Sequence, residues 1–479
     1  MGHGKDTGET PAPARPEDER LPFGQLLAYG TQHVLTMYGG LIAPPLIVGG
    51  AAGLKPADIA LLVTAGIFVS GLATLLQALG LGPFGARLPI VQGISFAAVS
   101  TMVAIAGHDG VRSVFGAIMV AGVIGVVVSS FFAHLVRLFP PVVTGSIISV
   151  IGISLLPVAF DWALGGRGTS GYGDPGNIAL AGVTLLVILV ISRLFQGFVS
   201  RLSILIGIVA GTLIAVPWGK ADFSGIGEGK AVSLPPVFAF GTPVFHAGAI
   251  VAMTIVVLVI MTETMADIVA IGEIVGTPVD HRRVAGGLRA DMLSSTVAPV
   301  VGAFPASAFA QNVGLVAITG IKSRFAVAAG GGVLVVLGLV PLFGRVVAAI
   351  PAPVLGGAGL VLFGSVAASG IRTLSRVEYG DNLNIVIVAV SLGMGMVPIA
   401  RPEFWDGFPD GVAVILDSGI SAAAITAVLL NLFFNQWSAY KKDKPSVFAA
   451  APERATPASG TPDRPAVEPP PSPGIAGAS

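Results

Sequence analysis

The chain has 479 residues, of which 53% are hydrophobic and 11% charged, and its 26 basic residues balance 26 acidic ones. Soluble domains carry about 25% charged residues, so this composition, with a mean hydropathy of +0.86, excludes a soluble globule and indicates a polytopic membrane protein. Zero net charge gives no footing for nucleic acid, and the absence of cysteine excludes disulfides and thiolate metal centres.

The first 20 residues are polar, without the apolar core of a secretory leader, and are expected to be disordered. Apolar runs then follow at 24–50, 57–80, 89–106, 113–137, 142–160, 178–195, 202–218, 245–272, 285–303, 306–319, 325–344, 352–370, 382–398 and 410–436. Most approach the ~20 residues that cross a bilayer as a helix. The third and tenth are weaker, and each begins at a proline, Pro89 and Pro305. From Pro445 onward Pro, Ala, Ser and Glu dominate, so residues 441–479 are expected to form a disordered tail. With 65 glycines and 35 prolines, helices should be closely packed, kinked or broken, as in transporters.

Charge supports this count. Fourteen spans with both termini cytoplasmic place 19 of the 26 Lys and Arg residues inside and 7 outside, as the positive-inside rule requires. An internal repeat also shows: PIVQGISF from Pro89 aligns with PASAFAQN from Pro305, and FPPVVTGSI from Phe139 resembles IPAPVLGGAG from Ile350. Two seven-span halves have opposite topology because seven is odd. Such repeats place a binding site at the midplane, where the broken segments meet.

Few polar groups lie deep in the apolar runs. Gln311 and Asn312 stand side by side at the start of a half-length helix, which is costly unless they face a cavity. Glu263 and Asp267 are four residues apart and so share a helix face. A membrane carboxylate costs at least ~2.5–3.5 kcal/mol, so the pair points to a polar cavity and suits proton uptake and release. The bland alternative is a carboxylate satisfied by backbone donors. Gln32 and His33 lie in the first run, where the histidine either shuttles protons or packs against a neighbouring helix. Asp291 opens the ninth run, a position that favours helix tying over transport. Ser95 and Phe96 fall opposite Gln311 and Asn312 in the repeat alignment. An aromatic ring with amides and a carboxylate suits a flat heterocycle: the ring stacks while the polar groups read its N–H and C=O edges.

Other chemistries are poorly served. Neither H-E-x-x-H nor G-x-x-x-x-G-K-[ST] occurs. The six histidines lack metal-ligand spacing, so no metal and no cofactor is expected. No nucleophile–base pair argues for an enzyme. The GYG at 171–173 lies in a polar loop without the flanking residues of a potassium filter.

QNVGLVAITG, from Gln311 to Gly320, resembles the signature of the nucleobase–ascorbate transporters: Gln, Glu or Pro, then Asn-x-Gly-x-x-x-x-Thr, and a Gly, Arg or Lys. The Gln32-His33 pair, Glu263, Asp267 and Asp291 stand in the family's order, so the resemblance covers about residues 24–436. It implies an all-α membrane protein of fourteen segments in two inverted repeats, with short antiparallel strands in segments 3 and 10. A core domain would comprise 21–137 and 241–345, and a gate domain 138–240 and 346–440. The resemblance further implies that Glu263 and Gln311 hold the base, with Phe96, Ser95 and Asn312 beside it. Asp267, Asp291, His33 and Gln32 would support proton coupling and geometry. Gln at the first motif position accompanies xanthine and uric acid carriers, so the expectation is a proton-coupled symporter of an oxidised purine in the cytoplasmic membrane. It would be lipid-embedded and homodimeric, in the bacterial xanthine/uric acid permease branch. A uracil or broader nucleobase symporter is the alternative, and an anion exchanger or channel of the same fold stands behind it.

Overall fold

The computed structural model describes residues 15–437 except 225, 228, 229 and 380–382. The expected disordered tail and residues 1–14 lie outside the described residues. Nine described helices are long and apolar enough to cross a membrane, and a bent pair makes a tenth. The chain is mostly helical and multi-pass.

Helices α1 (Phe23–Ala51) and α2 (Pro56–Leu79) match the first two runs closely. The third run is interrupted as expected: strand β1 (Gln92–Ile94), a 3-10 turn, then the eleven-residue α3 (Val99–Asp109). Next come α4 (Val111–Ser129), α5 (Pro141–Ala163), α6 (Pro175–Leu194) and a short α7 (Ser203–Ala215). The second half begins with α8 (Ala247–Val275) and α9 (His281–Val297), the latter capped by Asp280, whose carboxylate accepts from Arg283 N–H at 2.8 Å. Strand β2 (Ala306–Ala308) leads into the ten-residue α10 (Ala310–Thr319).

Two expected single spans are broken. The eleventh run splits into α11 (Arg324–Gly338) and α12 (Pro341–Ala348), bent by 78°. Pro341 has no N–H to continue α11 but fits the first turn of α12. After α13 (Ala352–Leu374) and α14 (Leu383–Ala400), the fourteenth run breaks at Asp417–Ser418 into α15 (Asp410–Asp417) and α16 (Gly419–Asn431). Ser418 caps α16 by accepting from Ser421 N–H at 3.2 Å.

β1 and β2 pair antiparallel, with Gln92 opposite Ala308 and Ile94 opposite Ala306. Two further bonds extend the ladder, Ser95 N–H to Pro305 O at 2.8 Å and Phe309 N–H to Val91 O at 3.1 Å. Each strand is also held to a helix by a hydroxyl. Thr74 of α2 accepts from Gln92 N–H at 2.9 Å, and Ser295 of α9 accepts from Ala306 N–H at 3.2 Å. Irregular backbone at membrane depth is therefore satisfied internally.

Packing relies on small residues. α5 and α13 run antiparallel, with Gly145, Gly152 and Gly370 against Leu374, Ala367 and Ser149. α11 packs on α1 and α2 in the same manner, Gly30 against Gly330 and Gly71 against Gly331. Close approach of this kind substitutes for a hydrophobic drive, which lipid does not supply.

The N-terminal expectation is corrected for residues 15–20. Pro16–Asp18 form a 3-10 turn, and Glu17 is buried against Arg283, in the first turn of α9, at 2.5 Å. Thr277 donates to the same carboxylate at 3.1 Å, Asp18 pairs with Arg324 at 2.6 Å, and Ser323 donates to Glu19 O at 2.6 Å. A composition that looks unstructured is ordered here by partners far along the chain.

Candidate substrate site

The half-helices begin side by side because their lead-in strands are paired. Beside their starts lies a cavity of about 400 Å³. Phe96 and Ala97 reach it from the turn before α3, and Ala310 and Gln311 from the first turn of α10. Glu263 and Asp267 reach it from one face of α8, as their spacing requires. Ile148 and Ile151 of α5 and Ser365, Ser369 and Thr373 of α13 close the opposite wall.

Neither Glu263 nor Asp267 has a hydrogen bond or ion pair with another described residue. Their acceptor capacity is thus directed into the cavity. The N-terminal end of α10 stands at the same place and adds positive potential there. The arrangement offers ionisable acceptors, an amide that both donates and accepts, and an aromatic face, which together can grip a flat, polar-edged molecule.

Phe309 was not foreseen, although it precedes Gln311 in the sequence. Its ring lies 6.4 Å from that of Phe96, which also meets Phe363 edge-on at 6.2 Å. Two glycines make room for it: a Cβ on Gly40 would sit 2.8 Å from the ring, and one on Gly93 would collide with it outright. Ser365, Ser369 and Thr373, spaced four apart, were likewise missed. That polar stripe on an otherwise apolar helix was readable as one face.

Other expected site residues stand elsewhere. Asn312 does not line the cavity; it is buried, bonds His33, and donates to Pro89 O at 2.9 Å. One residue along a helix turns the side chain by about 100°, so adjacent amides cannot share one target. Asn312 and His33 instead tie α10 and α1 to the approach of β1. Ser95 is buried and does not line the cavity, its repeat position being used for the backbone bond to Pro305. Gln32 is half-buried, and its carbonyl accepts from Thr36 at 2.9 Å. Asp291 is fully buried and accepts from Thr264 at 2.5 Å, while Thr264 accepts from Ala308 N–H at 3.3 Å. Asp291 therefore links α9 to α8 and, through Thr264, to β2.

Asn312→Ala is expected to leave His33 and Pro89 O without their buried partner, at about 1–3 kcal/mol. Thermal unfolding in detergent should show a lower Tm than wild type. An unchanged Tm would remove Asn312 as a tie.

A model of the Permease family, labelled Xan_ur_permease, matches residues 24–404. The chain belongs to the nucleobase–ascorbate transporter family. Within it, the chain is 41% identical to the xanthine permease of Bacillus subtilis (strain 168), over 88% of this chain and 97% of that protein. It is also 41% identical to the uric acid transporter UacT of Escherichia coli (strain K12), over 88% and 89%. The uric acid permease PucK of Bacillus subtilis (strain 168) is 39% identical over 86% and 95%. The fold resembles the transmembrane domain of a cyanobacterium bicarbonate transporter, BicA, with a TM-score of 0.55 and 16% identity, covering 87% of this chain and 100% of that one. It also resembles SLC26A9, with a TM-score of 0.58 and 13% identity, covering 87% and 66%. Both likenesses concern the fold alone. The relatives named are permeases and a transporter, and by kinship the chain is a membrane transporter of that family.

Proposed function

We propose that the chain is a proton-coupled symporter that imports an oxidised purine nucleobase, xanthine or uric acid or both, across the cytoplasmic membrane. The observation that carries this reading is that Glu263 and Gln311, 48 positions apart, line one cavity at the meeting of two half-helices. Glu263 takes an N–H edge of the base, and Gln311 meets an adjacent C=O and N–H. Phe96 and Phe309 cover the ring face. Asp267, on the same face as Glu263, shares the coupled proton with it.

Two inverted seven-segment repeats fit the packing. In the alignment of Pro89 with Pro305, Gln92 falls on Ala308, its partner in the ladder, where a pseudo-two-fold axis would pass. In this reading α1–α4 and α8–α12 form the core, α5–α7 and α13–α16 the gate, and both termini are cytoplasmic. On the outer side His108 and Asp417 pair at 2.8 Å, and Thr101 and Ser418 lie 2.5 Å apart. These contacts bond α3 to the break between α15 and α16, which fits a carrier closed to the outside. A homodimer in the bilayer is part of the same proposal.

Uptake of labelled xanthine should appear when the chain is expressed in a bacterial strain lacking its own purine carriers. It should collapse on adding a protonophore, and unlabelled xanthine and urate should compete where uracil does not. Uracil competing as well as xanthine would defeat the purine assignment, and uptake indifferent to the protonophore would defeat the coupling.

A further inference from the structure

The main cavity has a chemical difficulty for one class of guest. Uric acid, and to a lesser degree xanthine, lose an N–H proton near neutral pH and become anions. Among the described residues lining that cavity are two carboxyl groups and no cation. Even with one coupled proton shared between them, a remaining carboxylate repels an anion in a partly dry site, so an anionic purine gains from a positive partner outside this lining.

A second cavity, of about 210 Å³, supplies one. Gln311 and Ser365 line both cavities, so the two adjoin there. The smaller one is bounded by Thr36, Gly39 and Gly40 of α1, by Ile204 of α7, and by Arg201 just before α7. Arg201 is half-buried and has no hydrogen bond or ion pair with another described residue. Partial burial pulls its pKa below the ordinary arginine value, yet a guanidinium stays charged under all conditions a cell offers. Its guanidinium lies beside the motif glycine. A Cβ on Gly314 would stand 3.2 Å and 3.6 Å from its two terminal nitrogens, so the fork lies against α10 one turn beyond Gln311. Gln311 and Gly314 are three residues apart and share a face. A planar fork with unspent donors thus stands on the same face as the amide that belongs to both cavities.

We propose that Arg201 and Gln311 form an anion subsite next to the main cavity that selects the ionised form of an oxidised purine. The guanidinium pairs with the purine oxygen that carries the negative charge, and Gln311 holds the neighbouring N–H. Arg201 comes from the segment between α6 and α7 whereas Gln311 belongs to α10, so the subsite spans two packed groups of helices. This inference rests on the purine-carrier reading and adds to it a basis for choosing between charged and neutral bases.

The test compares urate, an anion, with hypoxanthine, a neutral base, as competitors of labelled xanthine uptake by wild type, Arg201→Gln and Arg201→Lys. Urate protection of the purified proteins against thermal unfolding is read in parallel. In Arg201→Gln the ratio of half-inhibiting concentrations, urate over hypoxanthine, should rise about tenfold, and urate protection should weaken. Arg201→Lys keeps the charge but loses the fork, and should lie between the two. An unchanged ratio in a folded Arg201→Gln protein overturns the subsite while leaving the purine reading intact. If Arg201→Gln does not fold, Arg201→Lys with wild-type ratio and protection overturns it as well. Wild type that neither takes up xanthine nor is protected by urate overturns both.

Discussion

Glu263→Gln is expected to cut purine uptake by roughly 10- to 100-fold without lowering the amount of folded protein. The substitution keeps side-chain size and shape but removes the charged acceptor. Hydrogen bonds to charged groups are worth about 1.5–3 kcal/mol, and each 1.4 kcal/mol is a factor of ten. A proton-carrying group is lost in the same step, which adds to the deficit under a proton gradient. Stability should hold because Glu263 has no partner among the described residues to strand. Initial rates of labelled xanthine uptake, normalised to protein in the membrane, provide the measurement. Wild-type uptake by a well-folded Glu263→Gln protein would end the proposed role of this carboxylate. Asp267→Asn should cause a smaller loss, since in this reading it shares the proton rather than the base.

Gly370→Val should destabilise the protein severely, whereas Gly364→Ala on the same helix should be neutral or slightly stabilising. A Cβ at Gly370 would lie 2.7 Å from Ser149 Cα, with the Ser149 backbone nitrogen closer still. Backbone cannot swing aside as a side chain does, so α5 and α13 must separate along their length. Overpacking of a tight interface costs about 1–3 kcal/mol or more. A domain of 150–250 residues shifts its Tm by about 2–4 °C per kcal/mol, and a shift of ~5 °C or a loss of folded protein is expected here. At Gly364 nothing lies within 4 Å of an added Cβ, and alanine is a better helix former by about 1 kcal/mol. Fluorescence-detected thermal unfolding of the two proteins separates the cases. Equal Tm values would mean that the α5–α13 contact is looser than its geometry implies.

Much of this architecture was legible in the chain because lipid imposes one rule at a time. Runs such as 24–50 and 57–80 became α1 and α2 within a residue or two, since an apolar stretch of that length has few other fates. Pro89 and Pro305 announced the two interrupted segments, whose strands only the resemblance implied, and the spacing of Glu263 and Asp267 announced their shared face. What stayed hidden depended on partners. The turn at Glu17 is ordered by Arg283, 266 residues away, and no local pattern carries that. Gln311 and Asn312 are neighbours in sequence but diverge by the helix's own rotation. Arg201 looked like one more loop charge, and only α10 with its glycine reveals what it faces. The break before Ser418 was partly readable, because Asp417 and Ser418 are polar residues inside an apolar run and one of them caps the next helix.

The ladder between β1 and β2 has a consequence for how any guest is measured. Two half-helices laced together at their starts, and pinned by Thr74 and Ser295 to separate spans, cannot spread apart without undoing hydrogen bonds that no water would replace. The floor beneath the guest is therefore stiff, and fit there is decided by outline before contact rather than by moulding afterwards. Accommodation falls instead to the far wall of isoleucines and hydroxyls, where Ser365 and Thr373 donate back to their own helix, at 2.7 Å and 3.1 Å, rather than to the strands.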